Sequence, residues 1–368
     1  MQIQAAIVEE KSGPFVVRDV ELDDPRPDEL RVRVVATGIC ATDLHVREQH
    51  YPVPLPLVLG HEGAGIVEEV GSAVRGIEAG DHVVMSFPSC GMCRFCQQGQ
   101  VAYCEHSFEL CFGGHRLDGS NALHSGDDHP TELHGSFFAQ SSFATHAITT
   151  QSNVVKVPED LPLEVLAPLG CGFQTGAGGV FNSLKVRPGA RVAVFGTGAV
   201  GLAAIMAARV VGADQIIAVD VNSSRLDLAK ELGATHAING REEDTAARIA
   251  EITRRGADYV VETTARPEML TLAVDVLSSL GVAGLIGGAP AGTKAPIDMN
   301  TLLGGRSVRG IAQGDSMPQV FIPELIELYR SGRFPFDRLI RHYDFADINQ
   351  AAQDTASGET VKAVLRVS

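Results

Sequence analysis

The chain has 368 residues, 45% apolar and 20% charged, with a formal net charge of −15. That length argues for two domains rather than one core. The acidity excludes a nucleic-acid partner, which needs clustered Lys and Arg, and reads as solubility. No apolar run approaches the roughly 20 residues that cross a bilayer. The opening stretch Met1 to Phe15 has no basic segment followed by an apolar one, so a first strand is expected there rather than a secretory leader, and the chain is expected to be cytoplasmic.

Up to about residue 160 the sequence is β-rich. Leu30 to Gly38 and Gly63 to Gly71 alternate or concentrate Val and Ile between Gly and Pro borders, and His82 to Val84 follows an Ala79-Gly80-Asp81 turn. Residues 105–136 carry His106, His115, His124, His129 and His134 among Gly and Asp, and predict an irregular excursion. After residue 172 the period changes. Strands are expected at Arg191–Phe195, Gln215–Asp220, Asp258–Glu262 and Val282–Gly287, and helices at Val200–Val211, Ser223–Leu232 and Pro267–Leu280. Such alternation implies βαβ units and a parallel sheet. From about residue 314 the chain returns to mixed character.

Seven cysteines cannot all pair, and their spacing points to metal rather than disulfides. Cys90, Cys93 and Cys96 form two overlapping Cys-x-x-Cys turns, and Cys104 adds a fourth sulfur. Four thiolates suit tetrahedral zinc at about 2.3 Å and leave no open position, so this site is structural. An iron–sulfur cluster and unliganded thiols are the alternatives; Cys104 is followed by Glu105, not by the Pro common after an iron–sulfur set. Cys111 is left over with no assigned role.

Gly196-Thr197-Gly198-Ala199-Val200-Gly201 lies between an expected strand and an expected helix, the context a dinucleotide-binding turn requires. Asp220 ends the next strand about 20 residues on, where an acid bonds ribose hydroxyls and repels a 2′-phosphate, favouring NAD over NADP. Arg225 softens that exclusion, because Arg can hold a phosphate. Cys40, His61 and Cys171 remain. Each alone reads as structural, since a lone buried Cys usually behaves as a small hydrophobe.

Taken together the motifs resemble a family. Gly60-His61-Glu62-Gly63-Ala-Gly65, the four-cysteine loop, Gly170-Cys171-Gly172 and the Gly196–Gly201 turn occur in the order found in the zinc-containing medium-chain alcohol dehydrogenases. The stretches Gln49 to Leu57, Phe137 to Thr145, Phe321 to Tyr329 and Phe334-Pro-Phe336 are most similar to the aryl-alcohol (benzyl alcohol) dehydrogenases, with geraniol-type enzymes near neighbours.

The resemblance implies an α/β protein. A β-rich GroES-like catalytic domain would span 1–171, a Rossmann doubly wound parallel-sheet domain 172–313, and 314–368 would return to the catalytic domain. It implies a catalytic zinc on Cys40, His61 and Cys171, with an open fourth position, and so two zinc ions per chain. Glu62 would be a second-shell or transient ligand and Asp43 would lie behind the metal. Thr42 and His45 would relay the alcohol's proton to solvent. Arg225 would sit beside the ribose and Lys362 would reach the pyrophosphate, while Ala41 replaces an Arg or His that relatives often carry there.

The expected reaction is reversible oxidation of primary aromatic or allylic alcohols to aldehydes with NAD. A geraniol-type or general alcohol or polyol dehydrogenase is the alternative, and a non-catalytic protein retaining only the fold is another. A homo-oligomer, tetramer or dimer, is implied, with Ser307 to Ile311 as either a pairing strand or a buried one. The histidines from His106 to His134 lack regular ligand spacing and are not expected to form a third metal site.

Overall fold

The computed structural model describes residues 1–125 and 132–367. The chain divides into two compact units. One comprises Met1–Cys171, Met317–Pro323 and Asp337–Ser368, the other Gly172–Ser316 and Glu324–Phe336. The expected return of 314–368 to the first unit is thus interrupted. Aromatic packing accounts for this, because Phe336 lies 5.4 Å from Phe173 and 4.6 Å from Tyr329, ring contacts that tie the segment into the second unit.

The first unit carries two sheets. In one, Gln2–Val8 pairs antiparallel with Phe15–Leu22 and with Leu57–Val58. The other is organised on Glu29–Gly38, which pairs antiparallel with Gly63–Val70, His146–Thr150 and Lys362–Arg366. Leu30, Val32, Val34 and Ala36 are fully buried, while Arg31 and Arg33 between them face outward. That two-residue alternation is the pattern of a half-buried strand.

Among the described residues, the excursion at 105–125 and 132–136 is more ordered than expected. It contains a helix, Ser107–Phe112, and a strand, Leu123–Ser125, that pairs with Phe15–Leu22. Arg116 anchors it through a paired contact with Glu29, Nε to Oε1 at 2.6 Å and an η nitrogen to Oε2 at 2.9 Å. A single Arg in a loop carries no periodic signal, so this anchor is invisible to pattern reading.

The second unit is built on a six-stranded sheet, parallel throughout. Arg191–Phe195 lies at its centre, flanked by Gln215–Asp220 and Ala257–Glu262. The chain runs outward on one side through His236–Asn239 and on the other through Leu277–Leu285 and Ser307–Gly310. This is the doubly wound order, in which the first and fourth strands meet at a switch point where ligands bind. Helix Ala199–Val211 is apolar nearly all round and is buried from Gly201 to Ala208.

Two expectations change here. The helix expected over 267–280 stops at Asp275, and Leu277 already pairs with Ala257 as a strand. Ser278, Ser279 and Gly281 are poor helix formers, so sheet pairing wins. Strand His236–Asn239 and helix Thr245–Thr253 were not anticipated; the helix starts at Asp244, whose carboxylate accepts the Ala247 N–H at 3.1 Å.

Candidate active site

Two residues after strand Glu29–Gly38, Cys40 caps helix Ala41–Arg47. Asp43, third in that helix and fully buried, organises its surroundings. One carboxylate oxygen accepts the Cys40 N–H at 2.9 Å. The other accepts the Gly60 N–H at 3.1 Å and meets His61 Nδ1 at 2.9 Å. Gly60 has φ +93°, and a Cβ there would come within 2.4 Å of the Phe143 nitrogen, so only glycine fits before His61.

With Nδ1 committed to Asp43, His61 Nε2 is buried and has no hydrogen-bond partner among the described residues. The thiols of Cys40 and Cys171, His61 and the Glu62 carboxylate all bring a ligand atom within 4.8 Å of one another. An unpartnered imidazole nitrogen beside two thiols is a donor set that suits zinc. The hydrogen bond from Cys171 holds the Cys40 thiol well below its ordinary range, against burial, with help from the Lys362 charge. The same bond and burial push Cys171 up. Burial opposes charge on His61, yet Asp43 raises it well above the usual histidine range. A basic, oriented ring is what a carboxylate behind a metal ligand produces.

Lys362 does not stand where expected. It is 2% exposed. Its ammonium lies 2.8 Å from both oxygens of Glu62 and 3.1 Å from the Ile39 carbonyl. An ammonium has three donors, and all three are used, leaving none for a pyrophosphate. Burial raises the Glu62 carboxyl, and Lys362 opposes that rise. Glu62 is therefore held behind the ligand cluster by a buried ion pair.

Thr42 Oγ1 lies 3.8 Å from Cys40 Sγ. His45 is one turn further along the same helix face, its ring 5.6 Å from His50 and 6.2 Å from Tyr51. An aromatic wall stands beside His61: Phe138 stacks on it at 4.5 Å and Phe137 meets it edge-on at 5.5 Å. Phe112 packs on Phe138, and Tyr51 on Phe112. The sequence assigns no role to Phe137, Phe138, Ser86 or Gln140; a Gln inside an otherwise apolar and hydroxyl-bearing stretch is the local signal there.

The sulfurs of Cys90, Cys93, Cys96 and Cys104 form a second group within 4.8 Å. Cys93 and Cys96 are 3.5 Å apart, and Cys90 and Cys96 3.9 Å. Tetrahedral zinc requires sulfurs about 3.8 Å apart at its usual bond length. Backbone N–H groups of Cys90 and His106 donate to Cys104, and that of Cys93 to Cys90. Backbone bonds from Glu105 and Cys96 bring the Cys93 thiol down to about 6, while burial and Cys93 push Cys96 up to about 12. Cys111 is buried, and burial raises its thiol further. Among the described residues, neither metal-competent group draws on His106, His115, His124 or His134; His129 lies outside the described residues.

In the second unit, Gly196 has φ +88°, and a Cβ on Gly201 would fall 1.8 Å from the Gly196 carbonyl. The turn therefore needs both glycines, and helix Ala199–Val211 starts from it with its N–H groups directed outward. The Asp220 carboxylate accepts the Thr197 N–H at 2.6 Å and its hydroxyl at 2.7 Å, and the N–H groups of Val221 and Asn222. Burial works against its charge, but these bonds hold it below the usual carboxylate range. An Arg225 guanidinium nitrogen lies 3.7 Å from where a Gly198 Cβ would be, so this cation overlies the turn.

Comparison with known proteins agrees with this geometry. A family described as zinc-binding dehydrogenase matches residues 199–331, and the alcohol dehydrogenase GroES-like domain matches 26–159. A geraniol dehydrogenase of Castellaniella defragrans is 45% identical over 365 residues, 98% of this chain and 97% of its own. The chain belongs to the zinc-type medium-chain alcohol dehydrogenases. Two solved members of this dehydrogenase family are similar over the full chain. An alcohol dehydrogenase zinc-binding domain protein from Burkholderia ambifaria is 53% identical with a TM-score of 0.98, covering 100% of this chain and 99% of its own. Benzyl alcohol dehydrogenase from Acinetobacter calcoaceticus is 47% identical with a TM-score of 0.97, covering 100% of both. The dehydrogenase is therefore an oxidoreductase with a GroES-like and a Rossmann-type domain. Among its described residues no helix is long and apolar enough to cross a membrane.

Proposed function

We propose that this dehydrogenase oxidises primary aromatic and allylic alcohols to aldehydes reversibly, with NAD as hydride acceptor. The observation that carries the reading is the convergence of Cys40, His61 and Cys171 beside an aromatic wall of Phe137, Phe138 and Phe112. Planar unsaturated groups pack well on such a wall. Zinc on these three ligands would supply a Lewis acid for the alcohol oxygen. Asp43 orients His61, and the Lys362–Glu62 pair holds a carboxylate behind the ligands. Thr42 Oγ1 would take the alcohol's proton and His45 would pass it to solvent, a task suited to imidazole.

On the cofactor side, the helix at Gly198 favours the pyrophosphate, and the charge of Asp220 disfavours a 2′-phosphate. Among the Asp220 donors only the Thr197 hydroxyl is free to rotate away for a ribose hydroxyl. We also propose a homo-oligomer joined through Ser307–Gly310. All four residues of this edge strand are exposed, and Leu280, Met299 and Leu303 nearby in sequence and sheet are exposed by 78%, 83% and 84%. Large apolar side chains gathered beside a sheet edge are rarely left to solvent.

The deciding experiment is a kinetic panel of benzyl, cinnamyl and geranyl alcohols against polyols and short aliphatic alcohols, with NAD and NADP. Higher kcat/KM for the unsaturated alcohols with NAD is expected. Turnover of polyols alone would overturn the substrate assignment, and a preference for NADP would overturn the cofactor assignment.

A further inference from the structure

His61 and Cys171 come from distant parts of the chain, and a metal site tolerates errors of only about 0.2 Å in its bond lengths. Among the described residues, the hydrogen bonds of Asp43 fix Cys40 to His61 but do not extend to the Cys171 segment. A second set of buried hydrogen bonds does reach it. Gln140 is 2% exposed and Ser86 fully buried. Gln140 Nε2 donates to the His61 carbonyl at 3.1 Å and to the Ser86 carbonyl at 3.0 Å. Its Oε1 accepts the Gly63 N–H at 3.1 Å. Ser86 Oγ then donates to the carbonyl of Gly170, the residue before Cys171, at 2.7 Å.

The amide orientation follows from the partners, because its NH2 faces two carbonyls and its oxygen faces one N–H. The contact at Gly170 is close: a Cβ there would lie 2.2 Å from the Met85 carbonyl. The segment bearing Gln140 is rigidly shaped. Ser136, Phe138, Ala139 and Ser141 all adopt left-handed φ of 48–54°, a conformation that persists only where its surroundings impose it. Asn153 closes the arrangement, donating to the Phe138 carbonyl at 2.9 Å and accepting the Ser86 N–H through its own carbonyl at 2.7 Å.

We infer that Gln140 and Ser86 are positioning residues that set the spacing between His61 and Cys171. The inference rests on the reading of Cys40, His61 and Cys171 as zinc ligands. Both side chains direct these hydrogen bonds to backbone groups. Their hydrogen bonds run to the backbone on either side of the gap, so losing them loosens the geometry without removing a ligand. The strained strap aims the Gln140 amide at its three partners, and this gives the strain a role.

The test uses the full-length protein in two forms. Zinc release into a chromogenic chelator is followed for wild type, Gln140→Leu and Ser86→Ala, with the four-cysteine zinc as internal reference. Cobalt substitution then reads ligand geometry from the thiolate charge-transfer and d–d bands. Gln140→Leu is expected to release the catalytic-site metal about ten-fold faster and to shift its cobalt bands. Ser86→Ala, which removes one hydrogen bond and decides the matter should Gln140→Leu fail to fold, should shift both readouts in the same direction. Gln140→Glu keeps the acceptor for Gly63 but loses both donors, and should behave as the Leu variant does. Asp258→Asn in the other unit lowers stability and should change neither readout.

Cys171→Ser separates the two claims. If it leaves metal content and bands unchanged, the ligand assignment falls and the positioning role falls with it. If it removes them while Gln140→Leu and Ser86→Ala match wild type, the positioning role alone is overturned.

Discussion

At the scale of single residues, Asp43 governs the site. One buried carboxylate satisfies the N–H groups of Cys40 and Gly60 and the Nδ1 of His61. Asp43→Ala is expected to lower zinc affinity at the catalytic site 10- to 100-fold, approximately the cost of losing such a partner behind a ligand. Metal-buffered titration would measure this, with the four-cysteine zinc unchanged. Unaltered affinity would show that Cys40 and His61 hold their positions without it. The family resemblance implied a place for Asp43 close behind the ligands. Its bonding was not legible, because Gly60 and His61 reach it only after the sheet forms. Lys362 is the opposite case. Its position near the chain's end matched a cofactor-binding role, but burial against Glu62 assigns its three protons elsewhere.

At the scale of elements, the parallel sheet holds two features that can be tested. Arg191 opens the central strand and binds Asp258 of the neighbouring strand with Nε to Oδ2 at 3.0 Å, its own N–H adding a bond at 2.9 Å. The hydrogen bond from Arg191 keeps the Asp258 carboxyl below its usual range, despite some burial. A depressed pKa contributes stability above the unfolded value near 4, and loses it as pH falls through the folded value. Asp258→Asn should therefore cost about 1 kcal/mol at pH 7, this pair being partly exposed. The difference from wild type should narrow below about pH 4. Urea unfolding at several pH values checks both the size and the sign.

The strand Ser307–Gly310 ends the sheet and pairs with Leu277–Leu285. Val308→Lys places a charge in the middle of that edge, a device that blocks edge pairing. Light scattering should show a smaller assembly than wild type. An unchanged mass would move the subunit contact elsewhere. Strand and helix periods were readable over most of this sheet, because buried parallel strands are apolar and helices of this length repeat every 3.6 residues. The misplaced end at 267–280 arose where Leu277 pairs with Ala257, a contact between segments that local propensity does not register.

At the scale of the whole molecule, the two metal groups should differ in what their loss does. Helix Arg94–Gln97, within the four-cysteine loop, buries none of its residues, so a metal bound there would supply much of that loop's order. The proposed ligands Cys40, His61 and Cys171 instead lie at the ends of strands and helices packed by the core. Metal analysis should find two zinc ions per chain. Cys93→Ser should lose one and lower Tm by several degrees, whereas Cys40→Ser should lose the other and abolish turnover with a smaller change in Tm. Equal thermal effects from both would contradict this division.

By itself the sequence determined the family, the two-unit plan, the four-cysteine cluster and the Gly196–Gly201 turn with Asp220. Each is written in closely spaced residues or in a regular period, and local spacing dictates what such residues can do. The tertiary structure decided which distant residues meet: Asp43 with His61, Lys362 with Glu62, and Gln140 with Ser86 and the backbone at Gly170. Those contacts depend on strand pairing and on a backbone held in left-handed conformations, and neither has a local signature. Chemistry that assembles from remote segments is fixed by packing, which is why Asp43 and Glu62 could be placed near the proposed ligands from the chain but their hydrogen-bond and ion-pair partners, and the role of Gln140 and Ser86, could not.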